Sequence, residues 1–359
     1  MVRVAHISDS HLGSSMFQLT ERREDARKCF KKAVDMAIKH SPDILVHTGD
    51  LFHSPLPQNE DLIFVIELFK SLKDKVCLIV IDGNHDVPYG YRYAYSPLRG
   101  LETMELIVST GSGPYTTITE TFDGKEVEIH LVAWTAPQQL EHFINSAKPK
   151  EKIALFFTHD LQIPKENLPV YFNYYGCGHK HNFWLDEEYD IGRPGSTCFV
   201  NWDREMGGRK KLIVMDIDAT GNEYTSQQLN DVREFKFVTG VDITGMGPEE
   251  ANNSLRKSLD RLSPKKTKPI IIMKVNGLID SETEKSIERA EILQYGEKKL
   301  DPLFLHIEPN WSSMGARPVT LSEPLDVEAS ILEYMKQTKD ARMEQIREIM
   351  PKYLGGSMG

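Results

Sequence analysis

Val76-Cys77-Leu78-Ile79-Val80-Ile81-Asp82-Gly83-Asn84-His85-Asp86 is an apolar run that stops abruptly in carboxylate, glycine, amide and imidazole. A strand covered on both faces reads as a continuous run of Val, Ile and Leu. A glycine at its end lets the chain turn tightly and approach a neighbour. The same arrangement recurs along the first half of the chain. Val2-Arg3-Val4-Ala5-His6-Ile7 runs into Asp9-Ser10-His11, and Ile44-Leu45-Val46-His47 into Gly49-Asp50. Ile153-Ala154-Leu155-Phe156-Phe157 runs into Thr158-His159-Asp160, and Tyr171-Phe172-Asn173-Tyr174-Tyr175-Gly176-Cys177 into Gly178-His179-Lys180-His181. Between the first two runs, Ala26, Cys29, Phe30, Ala33, Val34, Ala37 and Ile38 recur at helical spacing, which predicts a crossover helix over 24–39. Strands alternating with helices predict an α/β fold, and polar loops at the carboxyl ends of strands are where such folds keep their chemistry.

The residue types in those loops define that chemistry. Carboxylates, an amide and several imidazoles, with no thiolate among them, suit a pair of divalent cations. Asp50 is the candidate bridge, because a carboxylate can give one oxygen to each of two ions. Asp9 and His11 can meet one ion together if the chain turns, and Leu12-Gly13 permits the turn. Asn84 offers a neutral carbonyl oxygen. Two divalent ions against two carboxylates leave a formal positive surplus, so an anionic phosphoester is the expected substrate.

Composition narrows the class. At 359 residues the chain exceeds one average core, so two or three domains are expected. No run reaches the roughly 18 apolar residues of a membrane span, and the start lacks a signal-peptide pattern. Cys29, Cys77, Cys177 and Cys198 are scattered without Cys-x-x-Cys spacing, which argues against a thiolate zinc site and a disulfide framework. A cytoplasmic, nucleoid-associated protein is the expectation.

Asp9-Ser10-His11-Leu12-Gly13, Gly49-Asp50-Leu51-Phe52-His53, Gly83-Asn84-His85-Asp86, Thr158-His159 and Gly178-His179-Lys180-His181 resemble the calcineurin-like metallophosphoesterase superfamily. Within it, Leu12-Gly13, Leu51-Phe52-His53 and the domain that follows resemble the SbcD/Mre-eleven type of double-strand-break repair nuclease. The resemblance implies a two-sheet α/β sandwich with a smaller α+β capping domain and a helical C-terminal segment. It implies two Mn2+ ions, one held by Asp9, His11, Asp50 and His181, the other by Asp50, Asn84, His159 and His179. His85 would protonate the leaving 3′ oxygen, and His53 would position the scissile phosphate. The implied activity is a manganese-dependent 3′–5′ exonuclease and single-strand or hairpin endonuclease acting on DNA, with an ABC-type coiled-coil ATPase as partner. Two other readings are a phosphatase for small substrates built on the same metals, and a recruitment scaffold whose metal site is only structural.

The implied domains are a nuclease domain over 1–230, a DNA-binding cap over 234–323 and a helical segment over 324–359, read either as docking the ATPase or as packing on its own domain. In the cap the pattern reads strand, helix, strand, helix, strand. Phe122-Asp123-Gly124-Lys125 predicts a hairpin turn, and 211–218 reads as the last strand of the sandwich. Asp61–Leu72 and Tyr91–Ile107 are apolar segments. The family pairs subunits through helices in this region, so a homodimer is expected, with Ile63 and Leu98 as positions to test it. Asp86 and Asp160 are candidates for orienting the imidazoles. His6, His40, His47, His130 and His306 read as packing or surface residues.

A net charge of −10 is awkward for a protein that grips phosphates. The local clusters that could do so are Lys31-Lys32, Arg204 with Arg209-Lys210-Lys211, Arg256-Lys257, and Lys265-Lys266 with Lys268.

Overall fold

A computed structural model describes residues 1–88, 90, 92–206, 208–229 and 233–313. The segment 324–359 lies outside them. Elements in chain order are β1 (Val2–Ile7), α1 (Thr20–Ile38), β2 (Ile44–His47), α2 (Asn59–Leu72), β3 (Cys77–Val80), α3 (Leu98–Thr103), β4 (Tyr115–Phe122), β5 (Lys125–Val132) and α4 (Pro137–Ser146). There follow β6 (Ile153–Thr158), β7 (Tyr174–Gly176), β8 (Trp184–Asp186), β9 (Ile191–Arg193), α5 (Trp202–Glu205), β10 (Lys210–Asp218) and β11 (Gly221–Leu229).

These build two sheets, ordered β11-β10-β1-β2-β3 and β4-β5-β6-β7-β9-β8. β1, β2 and β3 are parallel, as are β5, β6, β7 and β9; β10, β11, β4 and β8 pair antiparallel at the edges. The runs are continuous because both faces of each sheet are covered. Val4, Ile44, Val46, Ile79 and Ile81 meet Ile129, Leu131, Leu155 and Phe157 between the sheets. The alternate residues Ala5, Ile7, Leu45, Leu78 and Val80 face Phe30, Val34, Val65 and Phe69 of α1 and α2. On the far side, Ala154, Phe156 and Tyr175 pack with Leu140 and Ile144 of α4. This is the expected two-sheet sandwich.

Differences from the sequence reading have local causes. β7 is only Tyr174–Gly176, and the side chain of Asn173 just before it accepts from Ala154 N at 2.8 Å, a place a ladder carbonyl would otherwise take. Among the described residues of 91–107, the helical parts are a 3-10 turn at Tyr93–Tyr95 and α3, which starts after Pro97. β10 is not the last strand: β11 pairs along its whole length at the sheet edge. Its polar sequence, Asn222 to Gln228, carries no apolar alternation to announce it. The hairpin turn is as expected, with Phe122 opposite Lys125 and both Asp123 (φ 48°) and Gly124 (φ 74°) left-handed.

Among the described residues, a second compact unit comprises Val238–Ser263, Ile272–Leu300 and 305–313. Its elements are β12 (Phe235–Asp242), α6 (Pro248–Asp260), β13 (Ile270–Ile279), α7 (Ser281–Ser286), α8 (Arg289–Leu300) and β14 (Phe304–Ser313), with sheet order β12-β13-β14. Ala251, Leu255 and Leu259 of α6 are buried, as are Ile272, Met273 and Val275 of β13 and Ile292 of α8. The second helix expected in the cap is instead two, α7 and α8.

Candidate metal centre

Because β1, β2 and β3 are parallel, the loops that follow them emerge at one edge, and the loops after β6 and β7 meet them there. Asp9 N donates to Gly49 O (3.0 Å), His11 N to Asp50 O (2.9 Å) and Gly178 N to His159 O (2.8 Å). His179 N donates to Asp9 Oδ1 (3.0 Å), which joins the two sheets at the site. Two glycines make this closeness possible. A Cβ on Gly49 (φ 99°) would strike the His159 ring, and one on Gly83 would strike Asp50. Asp9, His11, Asp50 and His179 themselves hold left-handed backbone, with φ between 45° and 66°. Such strain outside glycine persists where surrounding structure enforces it, and it clusters at functional sites.

Asp9, His11 and His181 form one group whose ligand atoms lie within 4.8 Å of one another, and Asp50, His159 and His179 form another. Asp50 Oδ2 stands between them, 3.5 Å from His11 Nε2 and 3.4 Å from His159 Nε2. Asn84 Oδ1 is 3.0 Å from both His159 Nε2 and His179 Nδ1. His11, His53 and His85 make a third group. The His53 and His85 rings stack at 5.1 Å, and His85 meets His11 edge-on at 4.7 Å.

The donor chemistry fits a cation at both places. His159 Nδ1 donates to Thr48 O (2.7 Å) and His181 Nδ1 to Glu205 Oε1 (2.7 Å), so each presents Nε2 to the site. His181 Nε2 faces His11 Nε2 at 3.0 Å, and His159 Nε2 faces the Asn84 carbonyl oxygen. Acceptor facing acceptor requires a proton or a cation between them. Asp9 Oδ2 is buried without a hydrogen bond. Burial pushes the Asp9 carboxyl up and the His11 imidazole well down. For His159, burial lowers the pKa, but the Asp50 charge and hydrogen bond outweigh it and raise it to about 10. A cation bound there replaces that proton.

Asp86 does not touch an imidazole. It accepts from Leu51 N (3.2 Å), Phe52 N (2.9 Å) and Gly83 N (3.0 Å), and so ties the loop after β2 to the loop after β3. Asp160 Oδ2 lies 3.8 Å from His179 Nε2. His85 N donates to Asp50 Oδ1 (2.8 Å), and its Nδ1 donates to the His53 carbonyl (3.0 Å).

Two residues here escaped sequence reasoning. Glu205 is fully buried on the single turn α5. Besides His181, it accepts from Asn201 N (2.5 Å), Val200 N (3.1 Å), Ser196 Oγ (3.1 Å) and Lys210 Nζ. Burial raises its pKa, yet the His181 hydrogen bond and the Lys210 charge prevail and hold it at about 2. Trp134 stacks on His179 at 5.1 Å and meets His159 edge-on at 5.9 Å. Neither residue sits in a motif or a periodic run, so no sequence signal marks them.

A cavity of about 590 Å³ opens over these residues, lined by His11, Asp50, Asn84 and His85 together with Lys180, Asn182, Arg193 and Arg204.

The calcineurin-like phosphoesterase family model matches residues 2–308. The DNA double-strand break repair protein Mre11 of Sulfurisphaera tokodaii is 31% identical, over 74% of this chain and 71% of that protein. The protein of that name from Saccharolobus solfataricus is 30% identical over 59% and 58%, and that from Methanopyrus kandleri 26% identical over 96% and 79%.

Proposed function

Since the chain belongs to the calcineurin-like phosphoesterase family, we propose that it is a manganese-dependent DNA nuclease of double-strand-break repair, acting as a 3′–5′ exonuclease and on single-stranded or hairpin structures. The observation that supports this best is Asp50 Oδ2 lying within 3.5 Å of an imidazole from each ligand group. Asp9, His11, Asp50 and His181 would hold one ion, and Asp50, Asn84, His159 and His179 the other. When bound, such ions supply positive charge to a phosphoryl group and acidify a water. The likeness to the Mre11 proteins supports DNA as the substrate.

The side chains divide the remaining work. With Nδ1 donating to the His53 carbonyl, His85 can take or give a proton at the cavity only through Nε2. That is the atom suited to protonating a leaving oxygen. His11 uses Nε2 toward the site, so its Nδ1–H donates to His53 Nδ1 (3.2 Å). His53 then carries its own hydrogen on Nε2, where it can donate to a phosphate oxygen. Trp134 stacks on one face of His179 and holds the plane of that ring.

On the same reading the protein works with an ABC-type coiled-coil ATPase, pairs as a homodimer and acts in the cytoplasm at the nucleoid. The second unit serves as the cap over duplex DNA. No helix among the described residues is long and apolar enough to cross a membrane.

The test is cleavage of labelled hairpin and blunt-duplex DNA with added manganese, with and without the ATPase, for the natural chain and His85→Ala. The variant should bind manganese normally by calorimetry and cleave about 10²- to 10⁴-fold more slowly. Full activity with metal bound would remove His85 from the mechanism. Absence of DNA cleavage by the natural chain, with rapid turnover of para-nitrophenyl phosphate, would replace the nuclease by a small-substrate phosphatase.

A further inference from the structure

Each basic cluster that the sequence offers contains a cation already held by a carboxylate. Lys31 pairs with Asp35, Lys210 with Glu205, Arg256 with Glu288, Lys265 with Glu234 and Lys268 with Asp301. Lys180, Arg193 and Arg204 differ: among the described residues, none of the three makes an ion pair, and all three line the cavity over the metal ligands.

Their position is built, not incidental. Asn182, the residue after the ligand His181, accepts from Arg193 Nε through its backbone carbonyl (3.1 Å). Its side-chain amide donates to the Arg204 carbonyl (3.1 Å), and Arg204 N donates to the Asn201 side chain (3.2 Å). Arg193 also lies over the Trp184 ring, 5.5 Å from its centre. The Arg193 stem is thus held through Nε and the ring, and the Arg204 backbone through two amides, which leaves both guanidinium ends available. Glu205, which follows Arg204 directly, is already occupied by His181 and Lys210. Three uncompensated cations at the mouth of a pocket in a chain of net charge −10 concentrate positive potential there.

We propose that Lys180, Arg193 and Arg204, gathered on Asn182 beside His181, bind the phosphate adjacent to the scissile one on a nucleic-acid strand. The inference rests on the nuclease reading for its substrate, and on this geometry alone for the subsite. A paired guanidinium fork suits a phosphate diester, and one phosphate at the metals with a second at this clamp fixes which bond of a strand lies over His85. Small phosphomonoesters, with one phosphorus, gain nothing from it.

The experiment is calorimetric binding to the manganese-supplemented full chain of thymidine 3′,5′-bisphosphate and of thymidine 5′-monophosphate. The natural chain should bind the bisphosphate at least about tenfold more tightly, the scale of a charge-assisted hydrogen bond or two. In the double variant Arg193→Gln, Arg204→Gln that preference should shrink to about twofold, while Lys31→Gln on α1 should retain it. Using a ratio of two ligands cancels any general damage to the metal site. Equal binding of the two nucleotides by the natural chain, or an unchanged ratio in the double variant, would overturn the subsite. Retained preference without cleavage of labelled oligonucleotide would instead fault the nuclease reading and leave the phosphate clamp standing.

Discussion

At the scale of single residues, the imidazoles carry the proposed chemistry, but the groups behind them decide what each imidazole can do. Thr48 O and Glu205 each take the proton of one ring nitrogen and so aim the other nitrogen into the site. Glu205 is the more demanding of the two, because a buried carboxylate needs the Lys210 charge and several hydrogen bonds to stay ionised. Glu205→Gln keeps the size but loses the charge that strengthens the His181 nitrogen as a donor. We expect manganese affinity to fall about 10- to 100-fold, as for other partners of metal-bound histidines. The expected pattern in manganese titrations followed by electron paramagnetic resonance is one weakened and one normal site. Two unaltered sites would show that Glu205 only packs α5. The motif residues Asp9, His11, Asp50, Asn84, His159, His179 and His181 are legible in the sequence, since each follows an apolar run. Glu205 and Trp134 are not, because they approach the site through space from unmarked positions.

At the scale of elements, α2 shows where pattern reading succeeds and where it falls short. Its run Leu62-Ile63-Phe64-Val65-Ile66 is apolar on most of its circumference, and a helix of that kind needs cover on more than one side. Val65, Leu68, Phe69 and Leu72 pack into the core, whereas Ile63 remains 54% exposed. If two copies pair through this face, Ile63→Glu places a charge in the interface and should give a monomer by light scattering. A dimer that persists in the variant would move the pairing surface elsewhere. Leu98, by contrast, is fully buried on α3, so a charge there would break the fold and report nothing about pairing. Sequence marks both positions as apolar; only packing tells the core face from the free one.

At the scale of the whole molecule, a buried polar seam runs beneath the site and couples stability to pH. His6 contacts Tyr174 OH and Thr48 Oγ1, each at 2.9 Å, and His47 contacts Ser10 Oγ at 2.9 Å. Burial lowers both imidazoles to about 3. Below the ordinary value of about 6.5 the unfolded chain takes up protons that the folded chain refuses, so stability is lost as pH falls from 6.5 toward 3. Asp82, raised by burial to about 6, acts in the opposite sense between its ordinary value and 6. A comparison with His6→Gln isolates one imidazole. Denaturant unfolding of the metal-free protein between pH 6 and 4 should show the natural chain losing about 1.4 kcal/mol per pH unit more than the variant. Identical slopes would mean that His6 is not held neutral. The sequence by itself determined the strands that lead into the motif loops, the crossover helix, the hairpin and the candidate metal-binding side chains, because continuous apolar runs and terminal glycines are local signals of burial and turning. Tertiary structure alone decided that the loops of two sheets share one edge and that Asp50 stands between two imidazole groups. It also decided that Glu205 pins His181, and that among the described residues Lys180, Arg193 and Arg204 make no ion pair while Lys31, Lys210, Arg256, Lys265 and Lys268 do. Those outcomes depend on distances between residues far apart in the chain, and composition and periodicity do not encode such distances.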